Sequence, residues 1–268
     1  MFQPGLPLRD PAAVDAIRAR PDLDWFHKVE LGDFTTPGLP YDVNWEFVAG
    51  FLQKHADVFA GRAVLEPGCA DGLWTAWLTR LGAAHIVATD VADRDQFRLV
   101  AQALGLPVDY IPGVLSTTLP GKLRRRFDVV ASLGLLYHVH DPLTTLIMYR
   151  RYLNDGGWLV LETATCDSEA AYLQYTGAGQ VYGKLGGNQF LQSIGFMRSA
   201  LKELGIELID HAFRSEGALD EIGNVVGRAI FLGRKTRPVE IHYYSSIVEQ
   251  LNMSGEPFSG ERWYDMVI

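Results

Sequence analysis

Glu66, Gly68, Gly72 and Asp90 are the residues whose types and spacing could hold a charged small molecule. The first three share one turn, E-x-G-x-x-x-G, which runs through Cys69, Ala70 and Asp71. Glycines there allow backbone angles and close ligand approach that a side chain would block. One acid in the turn and another at the end of the next strand suit a ligand with an amine and a ribose, since carboxylates accept the hydrogen bonds that both groups donate. A dinucleotide would instead require G-x-G-x-x-G, with its pyrophosphate on the helix N-terminus, where Asp71 would repel it. The competing reading is an ordinary crossover whose glycines serve packing. Cys69 reads as packing rather than as a nucleophile.

A second cluster, Tyr137 and His138 with His140 close behind, follows an apolar run. Histidine takes a proton near neutral pH, so His138 could activate an acceptor hydroxyl or amine. Ordering its loop by hydrogen bonding is the equal alternative, and His140 is the weaker candidate. No spacing of His, Cys, Asp and Glu points to a metal, and none is expected.

These residues need a scaffold. Ala63, Val64 and Leu65 form a short apolar run of the kind a buried parallel strand uses. Leu73, Trp74, Trp77, Leu78 and Leu81 fall at helical spacing. Residues 85–89 predict a second strand that places Asp90 at its carboxyl end, outside which ligands bind in open α/β sheets. Further strands are predicted at 108–111, 127–132 and 158–163, with helices at 93–104, from Asp141-Pro142 to Leu153, and at 193–204. Asp155, Gly156 and Gly157 break the chain before the fifth strand. Residues 206–213 and 227–234 suit an antiparallel final pair. The alternation predicts an α/β fold, a doubly wound, seven-stranded, mostly parallel sheet.

Around that core, residues 1–60 read as an N-terminal extension or lid, 61–235 as the main domain and 236–268 as a C-terminal extension. The extension holds helices at 10–20 and from Tyr41-Asp42 through Leu52. Between them, residues 25–38 are dense in aromatic, ionisable and turn residues, a composition that lines sites more often than it builds cores. An insertion at about 164–192 is too long for a simple connection. The tail carries Tyr243, Tyr244, Trp263 and Tyr264, and either covers the site or mediates a homo-oligomer.

With 48% hydrophobic and 21% charged residues, the chain has an ordinary globular composition. Its net charge of −8 weakens a nucleic-acid reading, because phosphate binding draws its affinity from Lys and Arg. A local patch would still be compatible with it. The one dense basic run, Lys122 with Arg124, Arg125 and Arg126, reads as a solvated loop. Two cysteines make no disulfide framework. No apolar run approaches the ~20 residues of a membrane span, and the first residues lack a signal-peptide pattern. The expectation is a cytoplasmic protein with no membrane partner.

The glycine turn resembles motif I of the Rossmann-like S-adenosylmethionine (SAM) methyltransferases, D/E-x-G-x-G-x-G, with Ala70 at the middle glycine. FDVVASLGLLYHVHDPL followed by GGWLVLET carries a closer resemblance, to the tRNA wobble-uridine carboxymethyltransferases with their F-D-x-V-x-S-x-G-V-L-Y-H core and E-L-V-L-E-T strand. The match extends to Tyr182, to Asn188 and residues 190–193, and to residues 227–234. The segment with Trp25, Phe26, His27, Lys28, Glu30, Leu31, Gly32 and then Thr36-Pro37-Gly38 is closer to a bacterial small-molecule branch.

The resemblance implies SAM as cofactor. Glu66 and Gly68 would meet its methionine end, with Cys69 and Ala70 completing the turn and Gly72 permitting close approach. Asp90, followed by Val91, would take the ribose hydroxyls. Val114 and Leu115 would border the adenine through backbone groups, because the acid that relatives often place there is missing. Leu133 would border the cofactor, and Tyr137 would sit near the sulfonium with His138 as base. His27, Lys28, Asn188 and Arg228 would contact the acceptor or, if the donor were carboxy-SAM, its extra carboxylate. Tyr137 and Arg228 match that family's tyrosine and arginine. Leu39 and Asn44, however, replace its expected tryptophan and lysine, a substantial loss of charge, and its basic N-terminal domain has no counterpart in these residues. The expectation is methyl transfer from SAM to an oxygen or nitrogen of a small metabolite. The alternatives are methyl or carboxymethyl transfer to a tRNA wobble uridine, and a non-enzymatic SAM-binding subunit.

Overall fold

Asp10 opens the first helix as its sequence predicts. Its carboxylate accepts the Ala12 N–H, Pro11 follows it, and α1 (Pro11–Arg18) buries Ala13, Val14 and Ile17. The structure, a computed structural model, describes residues 3–116, 118–176 and 188–236. The chain divides into two units, Met1–Val114 and Leu115–Ile268. The predicted tail beyond Thr236, and Tyr182 with residues 177–187 of the predicted insertion, lie outside the described residues.

In the first unit α1 is followed by a two-residue hairpin, β1 (Glu30–Leu31) and β2 (Phe34–Thr35), and by α2 (Asp42–Lys54). Then come β3 (Ala63–Pro67), α3 (Leu73–Arg80), β4 (His85–Asp90), α4 (Asp95–Leu104) and β5 (Val108–Pro112). The three longer strands run parallel, with Glu66 opposite Ala88 and Asp90 opposite Pro112. Strands β3 and β4 are buried almost throughout, as expected where helices cover both faces of a parallel sheet. Residues 73–78 of α3 are all buried. The N-terminal segment packs on α4, where the N–H groups of Arg9 and Asp10 both donate to the Ala103 carbonyl.

The second unit contains β6 (Phe127–Leu133), α5 (Pro142–Tyr152), β7 (Leu153–Cys166), β8 (Leu173–Tyr175), β9 (Phe190–Ser193), α6 (Ile194–Glu203), β10 (Ile206–Leu219) and β11 (Val225–Lys235). Asp141 and Ser193 cap α5 and α6 through their side chains. Strands β6 and β7 are parallel, whereas β11 is antiparallel to both β7 and β10. Three principal strands in the first unit and four in the second give the mostly parallel, Rossmann-like α/β class that the sequence predicts. Among the described residues no helix is long and apolar enough to cross a membrane.

Some boundaries differ from the sequence reading. Strand β7 starts at Leu153 rather than Trp158: its pairing with β6 shifts register between Phe127–Leu153 and Val129–Trp158, an irregularity that Gly156 (φ +74°) accommodates without ending the strand. It also runs on to Cys166, so the first residues of the predicted insertion are strand, and β8 and β9 pair beside it. The final hairpin is longer at its turn end, closing only at the turn of Asp220 and Asn224.

Candidate active site

The glycine turn is tied to the end of β4. The N–H groups of Gly68 and Cys69 donate to the Thr89 carbonyl, and that of Ala70 to Asp90 Oδ2 at 3.0 Å. Ala70 is the one non-glycine among the described residues with positive φ (+48°), between Gly68 at +77° and Gly72 at +93°. Such a run curls the backbone into a concave shape. At Gly72 a side chain would also meet Val100 and Phe97 at 3.3–3.4 Å, so packing on α4 demands glycine there as well. Cys69 is fully buried and burial pushes its thiol far up, which keeps it inert.

Three carboxyls surround this turn. Glu66 is buried; its Oε2 accepts the Thr75 hydroxyl at 2.6 Å, while Oε1 has no partner among the described residues. Burial, helped by Asp90 and opposed by Thr75, pushes its carboxyl up to about 8. An occluded, half-satisfied acid beside a second acid fits a cationic group, and SAM carries two positive charges. Asp90 accepts from the N–H groups of Ala70 and Ala92, and Arg94 Nε lies 3.2 Å away. A carboxylate has about four acceptor positions, so capacity for hydroxyl donors remains. Val91 is exposed, and Val114 is buried with its N–H on the Asp90 carbonyl.

Asp71, absent from the predicted site, is the third. It is 3% exposed and His27 4%. One carboxylate oxygen accepts the backbone N–H groups of Phe26 (2.9 Å) and His27 (2.7 Å), and the other meets His27 Nδ1. Burial opposes its ionisation, but the His27 ring and the two N–H groups outweigh that and hold it low. The rings of Phe26, Trp45 and Trp74 surround His27 with centroids 4.8–6.0 Å away. The Thr36-Pro37-Gly38 sequence fixes this segment: Thr36 Oγ1 donates to the His27 carbonyl and accepts the Val29 N–H. Lys28 points elsewhere, pairing with Asp42 at 2.7 Å.

The second unit holds the other candidates. Tyr137 and His138 close a 3-10 turn (Leu136–His138) after β6; Tyr137 is buried and His138 exposed, their rings 4.0 Å apart. The Arg228 guanidinium lies over the Tyr137 ring at 4.6 Å and binds Glu162 in two places, at 2.5 and 2.6 Å. Burial pushes the Tyr137 hydroxyl up, against the lowering effect of Arg228, so it stays protonated. Asn188 is buried and its carbonyl accepts Thr176 Oγ1; Leu133 is buried at the end of β6, and Leu115 is exposed. Glu162 was also missed, although a lone acid in the apolar run LVLET was the available signal. Among the described residues no cluster could hold a metal.

Residues 45–211 match the family described as methyltransferase domain. A tRNA U34 carboxymethyltransferase of Shewanella piezotolerans is 30% identical over 178 residues, 64% of this chain and 52% of that protein. The chain spans about half the length of the curated relatives it matches. Two solved structures share the fold. The N-terminal domain of EvdMO1, crystallised with S-adenosylhomocysteine (SAH) and D-fucose, has a TM-score of 0.59 at 20% identity, covering 86% of this chain and 98% of that one. The Burkholderia thailandensis 1,6-didemethyltoxoflavin-N1-methyltransferase, with bound SAH, has a TM-score of 0.52 at 18% identity, covering 70% and 76%. With a family match over more than half its length, on a Rossmann-like fold whose glycine turn suits the cationic cofactor, the chain belongs to the methyltransferase-domain family, the enzymes that draw their methyl group from SAM.

Proposed function

We propose that this protein transfers the methyl group of SAM to an oxygen or nitrogen of a small metabolite. One observation carries the choice of donor. The two cations that could clamp the extra carboxylate of carboxy-SAM are each paired within the chain, Lys28 with Asp42 at 2.7 Å and Arg228 with Glu162 through two bonds. A carboxylate arriving at Arg228 would compete with a buried bidentate partner. Glu66, the curled turn of Gly68 to Gly72 and Asp90 would hold SAM. When bound, SAM supplies a methyl carbon that bonds to the acceptor atom as the carbon–sulfur bond breaks with its electron pair going to sulfur, and the acceptor gives up one proton. The protein's part is alignment more than covalent chemistry.

The second reading, carboxymethyl transfer from carboxy-SAM to a tRNA wobble uridine, draws on the names of the sequence relatives. Calorimetric titration of SAM and carboxy-SAM into the wild type and Arg228→Ala separates the two. SAM preference in both proteins is expected. A strong carboxy-SAM preference that vanishes in Arg228→Ala would overturn the proposal, as would tight tRNA binding with a steep salt dependence.

A further inference from the structure

We propose that His27, oriented by Asp71, is the base that takes the acceptor's proton, in place of the exposed His138. The inference rests on the methyl-transfer reading above. Asp71 belongs to the cofactor turn itself, one residue before Gly72, and 44 positions separate it from His27. Its carboxylate grips the backbone of Phe26 and His27 and meets His27 Nδ1. With an ionised acceptor at that nitrogen, the neutral ring carries its proton on Nδ1 and its lone pair on Nε2. No hydrogen bond to Nε2 is present among the described residues. The imidazole side chain is 5% exposed, edged by Trp45 and Trp74, so it reaches the surface only at its rim.

This is the nucleophile–base–orienter logic applied to a base and its orienter. Asp71 fixes the tautomer and stabilises the imidazolium that forms when Nε2 takes the O–H or N–H proton of the acceptor. The proton leaves to water after transfer, which balances the single proton that the methyl transfer releases. The charged group that meets the ring is Asp71 from the turn, and Lys28, next along the chain, pairs with Asp42 of α2. His138, by contrast, is exposed and lies against the Tyr137 ring.

The test uses the full chain as wild type, His27→Asn, Asp71→Asn and His138→Gln, with SAH titration and thermal melting to certify folding and the cofactor site. Asparagine at 27 keeps a donor for Asp71 but has no second nitrogen. Diethyl pyrocarbonate with peptide mapping reads the Nε2 lone pair without any acceptor. His27 should be carbethoxylated in the wild type and slowed at least fivefold in Asp71→Asn. With methyl-labelled SAM and a panel of phenols, carboxylic acids and amines, His27→Asn should lose about 10²–10⁴-fold in kcat with KM little changed, a larger loss than that of His138→Gln. A His27 that resists modification in the folded protein, or a His27→Asn variant that binds SAH and turns over normally, would overturn the dyad. If no probe is methylated, the acceptor class proposed above falls, and the modification result alone decides the dyad.

Discussion

Glu66 should make the protein lose stability as pH rises, and Glu66→Gln should abolish that loss. The unfolded carboxyl gives up its proton near 4.5, whereas the buried one keeps it to about 8. Between those values the folded state binds the extra proton, so stability falls with pH and levels off above about 8. At about 1.4 kcal/mol per pH unit, the full effect is roughly 5 kcal/mol, with roughly 3 kcal/mol present at pH 7. Glutamine keeps the volume and still accepts from Thr75, which donates to Oε2 at 2.6 Å in the wild type. The unpartnered Oε1 position is left equally unsatisfied in both proteins, so that cost largely cancels. Urea unfolding followed by tryptophan fluorescence between about pH 5 and 9 should show the variant gaining on the wild type until about pH 8 and running parallel beyond it. Two curves parallel throughout, or a variant less stable at pH 8, would refute the reasoning. A cationic amine reaching this acid should also draw its proton off. SAH binding near pH 7 should then release up to one proton from the wild type and none from Glu66→Gln, read from binding enthalpies in buffers of different ionisation heat.

Other sites give sharper local tests. Arg228→Met should cost about 3–5 kcal/mol by stranding Glu162 in a buried site, and adding Glu162→Leu should recover most of it; a double variant as unstable as the sum would mean that the pair is not coupled. Gly38→Ala places a methyl within 2.7 Å of the His27 carbonyl at φ +49° and should cost about 1–3 kcal/mol, with faster hydrogen exchange at Val29 and Thr36 and none at Ile86. Burial raises both thiols, so Cys69 and Cys166 should resist iodoacetamide in the native protein and react in urea; rapid native labelling of Cys69 would show that the glycine turn opens.

Much of the scaffold was legible because its signals are local. The apolar runs at 63–65, 85–89 and 127–132 are strands since both faces are covered, and Asp10, Asp141 and Ser193 cap helices with their own side chains. The turn end of the final hairpin was not legible, because Arg214 and Glu216 line a half-exposed strand whose partner lies across a turn and whose register shifts twice. The same distinction governs the site. Glu66 and Asp90 were found because turn and strand end are close in sequence. The His27–Asp71 and Arg228–Glu162 pairs were missed as pairs because 44 and 66 positions separate their members, and only folding brings them together.

The three carboxyls around the turn have different surroundings, and these assign them different work. Asp71 faces two backbone N–H groups and an imidazole, so its charge is committed to His27. Asp90 closes the turn through Ala70 and Ala92 with an arginine alongside, and it keeps acceptor positions for a ribose. Glu66 has one hydroxyl donor and is otherwise encased, so it alone can change protonation when a cation arrives. Removing the acid should therefore do opposite things at neighbouring positions. Asp71→Asn leaves two N–H groups and a ring facing a weaker acceptor and destabilises the turn, whereas Glu66→Gln relieves a buried ionisation and stabilises it above about pH 5. Below about pH 8 Glu66→Gln replaces a carboxyl that already holds its proton, whereas Asp71→Asn removes a charge that the folded protein carries, so opposite signs of the two stability shifts are expected and shifts of one sign would refute the assignment.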